Sequence, residues 1–228
     1  WSSDVCSSDL GGGDGERDGR NRRMHGGRWF TADSWPPPGI STENWYLAAG
    51  GRLTRSRPEK GEQSWRHNPA DPVPSRGGRY TMVSSIAPCA QDQSPLDGRG
   101  DILRFASAPL AAPLEVTGRI AVYLEAGSSA KEADFAVKVM DVYPDGFAMI
   151  LLDGIRRVRF TEGKAAEAVV DLGTVSNLFA KGHRIRVDVS SSNWPRAEVN
   201  PEASENRVVF GGARASRVAL PIRRPPVQ

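Results

Sequence analysis

Short runs that alternate apolar and polar residues, closed roughly every 8–15 residues by Gly, Pro, Asp or Ser, dominate this chain from Trp45 onward. Val116, Gly118, Ile120, Val122 and Leu124 share one parity, and Thr117, Arg119, Ala121, Tyr123 and Glu125 the other. Phe135, Val137 and Val139 alternate with Ala136, Lys138 and Met140, as Ile185, Val187 and Val189 do with Arg184, Arg186 and Asp188. Successive side chains of an extended strand point to opposite faces, so this period sets one parity against a core. Ten such runs are read, near 44–49, 62–67, 79–82, 102–105, 114–125, 134–143, 147–160, 166–172, 183–191 and 207–220. Helical spacing is not sustained beyond two turns anywhere, and Thr174–Ala180 is read as one turn at most. In Tyr143-Pro144-Asp145-Gly146 the proline presets one corner and the glycine accepts a positive φ, which predicts a hairpin between 134–143 and 147–153. Many strands, regular turns and no strand–helix–strand rhythm predict an all-β fold, an antiparallel β-sandwich or jelly roll.

Composition narrows the function classes. At 228 residues the chain can bury one domain, or at most two small ones. Lys and Arg total 30 against 27 Asp and Glu, a net +3, and no basic block concentrates the cations. That argues against a nucleic-acid partner. The apolar run Phe147–Leu152 falls far short of the roughly 20 residues of a spanning helix, so no membrane partner is expected. Cys6 and Cys89 are the 2 cysteines, too few for a disulfide framework or a structural zinc site. With 24 Gly and 17 Pro the chain suits a turn-rich β protein.

The first residue is Trp, and residues 1–26 show no apolar periodicity. The string Ser2-Ser3-Asp4-Val5-Cys6-Ser7-Ser8-Asp9-Leu10 resembles translated sequencing-adapter read-through. Residues 1–26 are therefore expected to be a disordered or foreign leader and 27–43 a linker, followed by the sandwich over 44–222 and a tail over 223–228. Within this scheme, 68–78 is a proline-rich loop between strands.

No catalytic, cofactor-binding or metal-binding residue is assigned. The G-x-S-x-G turn of an α/β-hydrolase nucleophile is absent. Ser84-Ser85, Ser128-Ser129 and Ser190-Ser191-Ser192 are read as polar strand or turn residues. His25, His67 and His183 share no metal-ligand spacing, and His183 is read as a hydrogen-bonded residue at a strand start. Asp134, Asp141, Asp145 and Asp153 lack calcium-loop spacing and are expected to pair with Lys138, Arg156, Arg157, Arg159, Arg184 or Arg186. Gly211-Gly212 has no phosphate-loop spacing, so no cofactor is expected. Of the tryptophans, Trp65 and Trp194 are the candidates for a sugar-stacking platform, with core packing as the ordinary alternative.

A series of motifs runs in order through the chain: Asp71-Pro72-Val73-Pro74-x-x-Gly77-Gly78, Asp92-Gln93-x-Pro95-Leu96, Arg99-x-Asp101-Ile102-Leu103-x-Phe105 and Ser107-x-Pro109-Leu110. It continues with Val116-Thr117-Gly118, Ala133-Asp134-Phe135, Lys138-x-x-Asp141-Val142-Tyr143-Pro144-Asp145-Gly146 and Lys181-Gly182-His183-Arg184-Ile185-Arg186-Val187. Ser190-Ser191-Ser192-Asn193-Trp194-Pro195-Arg196, Asn200-Pro201 and Ser216-Arg217-x-x-Leu220-Pro221 close it. Over about 28–222 this resembles the C-terminal domain of the X-Pro dipeptidyl-peptidase, cocaine esterase and α-amino acid ester hydrolase family. Arg28-Trp29-x-x-x-Asp33-x-Trp35-Pro36-Pro37 is similar to the family's link from its hydrolase domain. The join with foreign sequence is then placed near 24–27, and Ala133 stands where the family usually has Thr.

The resemblance implies a galactose-binding-like jelly roll following an α/β-hydrolase domain that holds a Ser-Asp-His triad. No residue here matches a triad motif. The chain is thus expected to be a non-catalytic part of an N-terminally truncated serine hydrolase, inactive alone, partnered by the hydrolase domain of its own parent chain. The alternative is an autonomous carbohydrate-binding or assembly module. Exposure of the surface that met the missing domain favours self-association, so a homo-oligomer is also expected.

Overall fold

A computed structural model describes residues 6–12, 27–78, 90–161 and 164–224. The described residues form β1 (Cys6–Gly11), β2 (Gly27–Ala32), β3 (Ile40–Ala48), β4 (Arg52–Thr54), β5 (Gly61–His67), β6 (Leu103–Ala106) and β7 (Leu114–Ser128). They continue with β8 (Glu132–Val142), β9 (Ala148–Arg159), β10 (Ala166–Phe179), β11 (Arg184–Ser190), β12 (Ser204–Phe210) and β13 (Arg217–Arg223). One 3-10 turn among the described residues, Ser94–Leu96, precedes β6. The all-β expectation holds.

Strand order is β2-β1-β10-β7-β13-β3-β4-β6-β11-β8-β9, with β12 joining β7 to β5. The order folds into two facing layers, because β10 packs against β9 and β8 without pairing to them. Between the layers lies one core. It takes Ile120, Val122 and Leu124 from β7, Phe135, Val137 and Val139 from β8, and Ile185, Val187 and Val189 from β11. Those residues carry the parity read from the sequence. Each large side chain so buried contributes about 1.5–3 kcal/mol. Trp65 meets Phe135 edge-on at 5.8 Å, and Phe105 meets Phe210 at 5.7 Å.

The hairpin forms as expected, with β8 and β9 antiparallel from Glu132↔Arg159 to Val142↔Ala148. At its tip the Tyr143 amide donates to the Phe147 carbonyl at 2.9 Å, and Gly146 has φ +89°. Elsewhere the structure departs from the pattern. The sheet is mixed, because β4 bridges β6 in parallel at Arg52↔Ala106 and β1 meets β10 in parallel at Gly11↔Asn177. Thr174–Ala180 is no helical turn, since residues up to Phe179 continue β10 against β7 after an irregularity between Asp171 and Gly173. The 207–220 run is two strands, β12 and β13, folded about Ser216, whose hydroxyl donates to Val209 O at 2.7 Å.

Strands β1, β2 and β4 escape the pattern. Cys6–Gly11, within the expected leader, pairs antiparallel with Gly27–Ala32, and the expected linker over 27–43 holds β2 and the opening of β3. Backbone pairing needs no apolar alternation, so the edge strand β2, its neighbour β1 and the three-residue β4 leave little trace in hydropathy. The expected strand at 79–82 and Cys89 lie outside the described residues.

Candidate functional site

β8 is buried on both faces, and that second burial defines the site. Ala136, Lys138 and Met140, the parity turned away from the core, are buried as well, none of them more than 5% exposed. Segments 68–78 and 90–102 cover this outer face of the β6-β11-β8-β9 layer.

Register builds a row of alternating charge beneath that cover. Arg104 on β6 stands opposite Asp188 on β11, Asp188 opposite Lys138 on β8, and Lys138 opposite Asp153 on β9. Opposite charges placed directly across strands attract at Cβ separations of roughly 4.5–5.5 Å. Asp188 and Lys138 are each 5% exposed and Asp153 1%. Arg186 grips Asp188 with both ends of its fork, at 2.7 and 2.8 Å, and reaches Asp97 at 2.6 Å. Asp97 also takes Arg104 at 3.3 Å. Burial pushes the Asp188 carboxyl up, while the Arg186 fork and the Arg104 and Lys138 charges oppose the rise. Desolvation lowers the Lys138 ammonium to about 8, although Asp188 pulls it back.

The cover is fastened to this row residue by residue. Lys138 Nζ donates to Gln93 Oε1 at 3.1 Å, and Gln93 Nε2 donates to Arg76 O at 2.8 Å. Arg99 spans the cover, gripping Asp101 at 2.8 and 2.7 Å and Asp71 O at 2.7 Å. At the β9 end, Asn193 Nδ2 donates to Asp153 at 2.9 Å and Arg196 also pairs with that carboxylate. Ser75 Oγ donates to Asn193 Oδ1 at 2.9 Å, Val73 N to Ser192 Oγ at 2.8 Å, and Trp194 N to Val73 O at 2.9 Å. The Asp71–Gly78, Asp92–Leu96, Arg99–Phe105 and Ser190–Arg196 motifs therefore meet at one place. Trp194 projects from it, 48% exposed.

Gly78, which closes the first motif, has a steric reason. Gly78 has φ +78°, and a Cβ there would lie 2.8 Å from Asp153 Oδ1. Gly78→Ala is expected to cost about 1–3 kcal/mol through backbone strain and displacement of that carboxylate. Urea unfolding reads the loss, and an unchanged midpoint would refute the steric argument.

The sequence candidates disperse. His183 Nδ1 bonds Asp141 Oδ1 at 2.8 Å and its ring lies 4.2 Å from that of Tyr143, so it is buried structure at the head of β11. His67 Nε2 meets Asn200 O at 2.8 Å. Ser191 Oγ accepts from Trp65 Nε1 at 2.8 Å and Asn206 Nδ2 at 2.7 Å, and Ser190 Oγ donates to Ser192 O at 3.1 Å. Of the four acids, Asp134 is held by the Arg157 fork at 2.8 and 2.8 Å, and Asp145 caps the turn at Phe147 N. Asp141 goes to His183 and Asp153 to Asn193 and Arg196, so they form no common site. Trp65 is 4% exposed and offers no platform for a sugar, which corrects that expectation. Ser84-Ser85 and His25 lie outside the described residues.

Asp188 and Gln93 enter the sequence reading only as an alternation partner and a motif residue, and Asp97 not at all; none carries a functional assignment there. The available signal was Met140 and Ala136 beside Lys138, an apolar outer parity that a solvent-facing strand has no reason to carry.

A family model described as the X-Pro dipeptidyl-peptidase C-terminal non-catalytic domain matches residues 9–219. The chain belongs to this family. Cocaine esterase from Rhodococcus sp. is 34% identical, the match covering 85% of this chain and 40% of the esterase. A putative serine esterase from Mycobacterium bovis is 29% identical over 87% of this chain and 36% of its own length. Two solved structures share the fold with a TM-score of 0.76: an aminopeptidase from a marine sediment Thaumarchaeota archaeon and an α-amino acid ester hydrolase. They are 26% and 25% identical, and the matches cover 91% and 90% of this X-Pro dipeptidyl-peptidase C-terminal domain but 40% of each of those chains. The domain thus spans about 40% of the length of these relatives.

Proposed function

We propose that this domain serves a larger serine hydrolase that cleaves ester or X-Pro dipeptide amide bonds. The observation that carries the reading is the match of nearly the whole chain to a non-catalytic family, over only about 40% of relatives that include esterases and an aminopeptidase. Chemistry in the parent resides in its α/β-hydrolase domain, where a serine attacks the carbonyl, a histidine takes its proton and an aspartate orients the histidine. The β-sandwich packs on that domain and helps shape its pocket.

The site suits packing better than catalysis. Its charges are consumed by one another, and neither described histidine hydrogen-bonds a serine hydroxyl. What the network does is hold the 68–78 and 190–196 segments rigid, with Trp194 exposed on the resulting platform. A half-exposed tryptophan on a fixed base matches the anchors that dominate protein interfaces.

The purified chain is expected to leave 4-nitrophenyl acetate and glycyl-prolyl-4-nitroanilide intact in a spectrophotometric assay. Turnover abolished by a serine-directed reagent would overturn the proposal. A glycan-array signal lost in Trp194→Ala would replace it with the carbohydrate-binding reading.

A further inference from the structure

Where β4 meets β6, away from the charged row, the segment from Ser107 to Leu114 lines an open cleft of about 760 Å³. The hollow has a sequence cause. Ala106, Ala108, Ala111 and Ala112 leave space that longer side chains would fill, while Pro109 and Pro113 hold the backbone extended. The wall is anchored to β11 and the turn before it. Ser107 N donates to Ile185 O at 2.9 Å, Leu110 N to His183 O at 2.8 Å and Gly182 N to Leu110 O at 2.8 Å. The cleft is therefore preformed, and its volume falls in the range of roughly 300–1,000 Å³ typical of small-molecule sites.

Its lining is apolar and carries three cations, two of them without a carboxylate partner among the described residues. Trp45, Leu53, Leu110 and Leu114 supply the apolar wall, and Arg52, Arg55 and Arg184 the charge, with no acidic residue lining it. Arg55 lies 4.7 Å over the Trp45 ring and pairs with Glu43 at 3.8 Å. Arg52 and Arg184 donate only to main-chain carbonyls, Ala49 O at 3.1 Å and Ser107 O at 2.8 Å, and neither has a carboxylate partner among the described residues. A guanidinium presents five donors in a fork suited to a carboxylate. An apolar hollow flanked by two such forks complements a molecule with an acid group at one end and hydrocarbon at the other.

We propose that this cleft binds small monocarboxylates with an apolar body of arylalkanoate size. A neutral hydrocarbon would gain nothing from the two exposed arginines, and an inorganic anion nothing from the wall of Trp45, Leu53 and Leu110. Binding here is independent of the hydrolytic reading given above.

Calorimetric titration of 4-phenylbutyrate into the 228-residue chain tests the proposal. Saturable one-to-one binding is expected, weakened about tenfold or more in the Arg52→Gln, Arg184→Gln double variant and with the neutral 4-phenylbutanamide. Both arginines are exposed, so the double variant keeps the fold. Ala111→Trp, which fills the hollow and leaves both arginines in place, is expected to abolish binding. Absence of saturation, equal affinity for the amide, or unchanged binding in the double variant would each overturn it. Self-association in sedimentation that both sets of substitutions abolish would overturn it in favour of a second copy as the occupant.

Discussion

Asp188→Asn is expected to destabilise the domain by about 3–5 kcal/mol, the loss typical of removing one partner from a buried ion pair. Asparagine keeps the size of the side chain, so packing changes little and the charge alone is lost. Asp188 accepts both ends of the Arg186 fork and stands in register with Arg104 and Lys138, so three cations lose their shared anion. Asp97 remains, but its side chain is 46% exposed, and it already takes Arg186 at 2.6 Å and Arg104 at 3.3 Å. Urea denaturation read by tryptophan fluorescence measures the loss. In a domain of this size the melting temperature should fall by roughly 10 °C. Asp134→Asn provides the contrast. Its partner Arg157 is 51% exposed at the side chain, so solvent screens the pair and the expected loss is about 1 kcal/mol or less. Equal losses at the two sites would show that burial of the row carries no energetic weight.

How far the sequence reveals this arrangement depends on which side-chain pattern a residue belongs to. The core parity of β7, β8 and β11 is legible because one face of each strand meets a continuous apolar layer. The Tyr143–Gly146 hairpin is legible because two residues carry its geometry between them. Edge strands are not, since Gly27–Ala32 is held by backbone pairing whatever its side chains. The charged row is hidden for a different reason. Arg104, Asp188, Lys138 and Asp153 come from four strands, and only the register between those strands places them side by side. Each residue by itself reads as an exposed polar position. The resemblance marked their neighbourhoods, because Gln93, Gly78 and Asn193 all fall in its motifs, but the covering loop that buries them has no periodicity of its own. The platform on the outer face therefore follows from tertiary packing, and Trp194 stands out only once Trp65 is seen to be enclosed.

Lys138→Met tests the same row from its positive side, through pH. Burial lowers the Lys138 ammonium from 10.5 to about 8, with the Asp188 charge opposing and the charges of Arg76, Arg196 and Arg186 adding to the fall. The unfolded chain, whose lysine titrates near 10.4, then binds more protons than the folded one between pH 8 and 10.5. Stability contributed by this residue accordingly rises with pH across that window and is flat below it. The gap between the two values corresponds to about 3 kcal/mol of penalty for the charged form, present in full below pH 8. Methionine keeps a flexible apolar stem in the same space and has no proton to lose. Ionisable groups not in contact with Lys138 titrate alike in both proteins, so their effect cancels in the difference. The stability of wild type minus that of the variant should therefore climb by about 3 kcal/mol between pH 7.5 and 10.5, read from paired urea titrations. The attraction to Asp188 acts on the charged lysine alone and is already contained in its value of about 8, whereas the packing difference between lysine and methionine is a constant offset outside that slope. Parallel profiles would mean that Lys138 keeps its proton throughout, and that Asp188 and Gln93 outweigh desolvation in setting its charge.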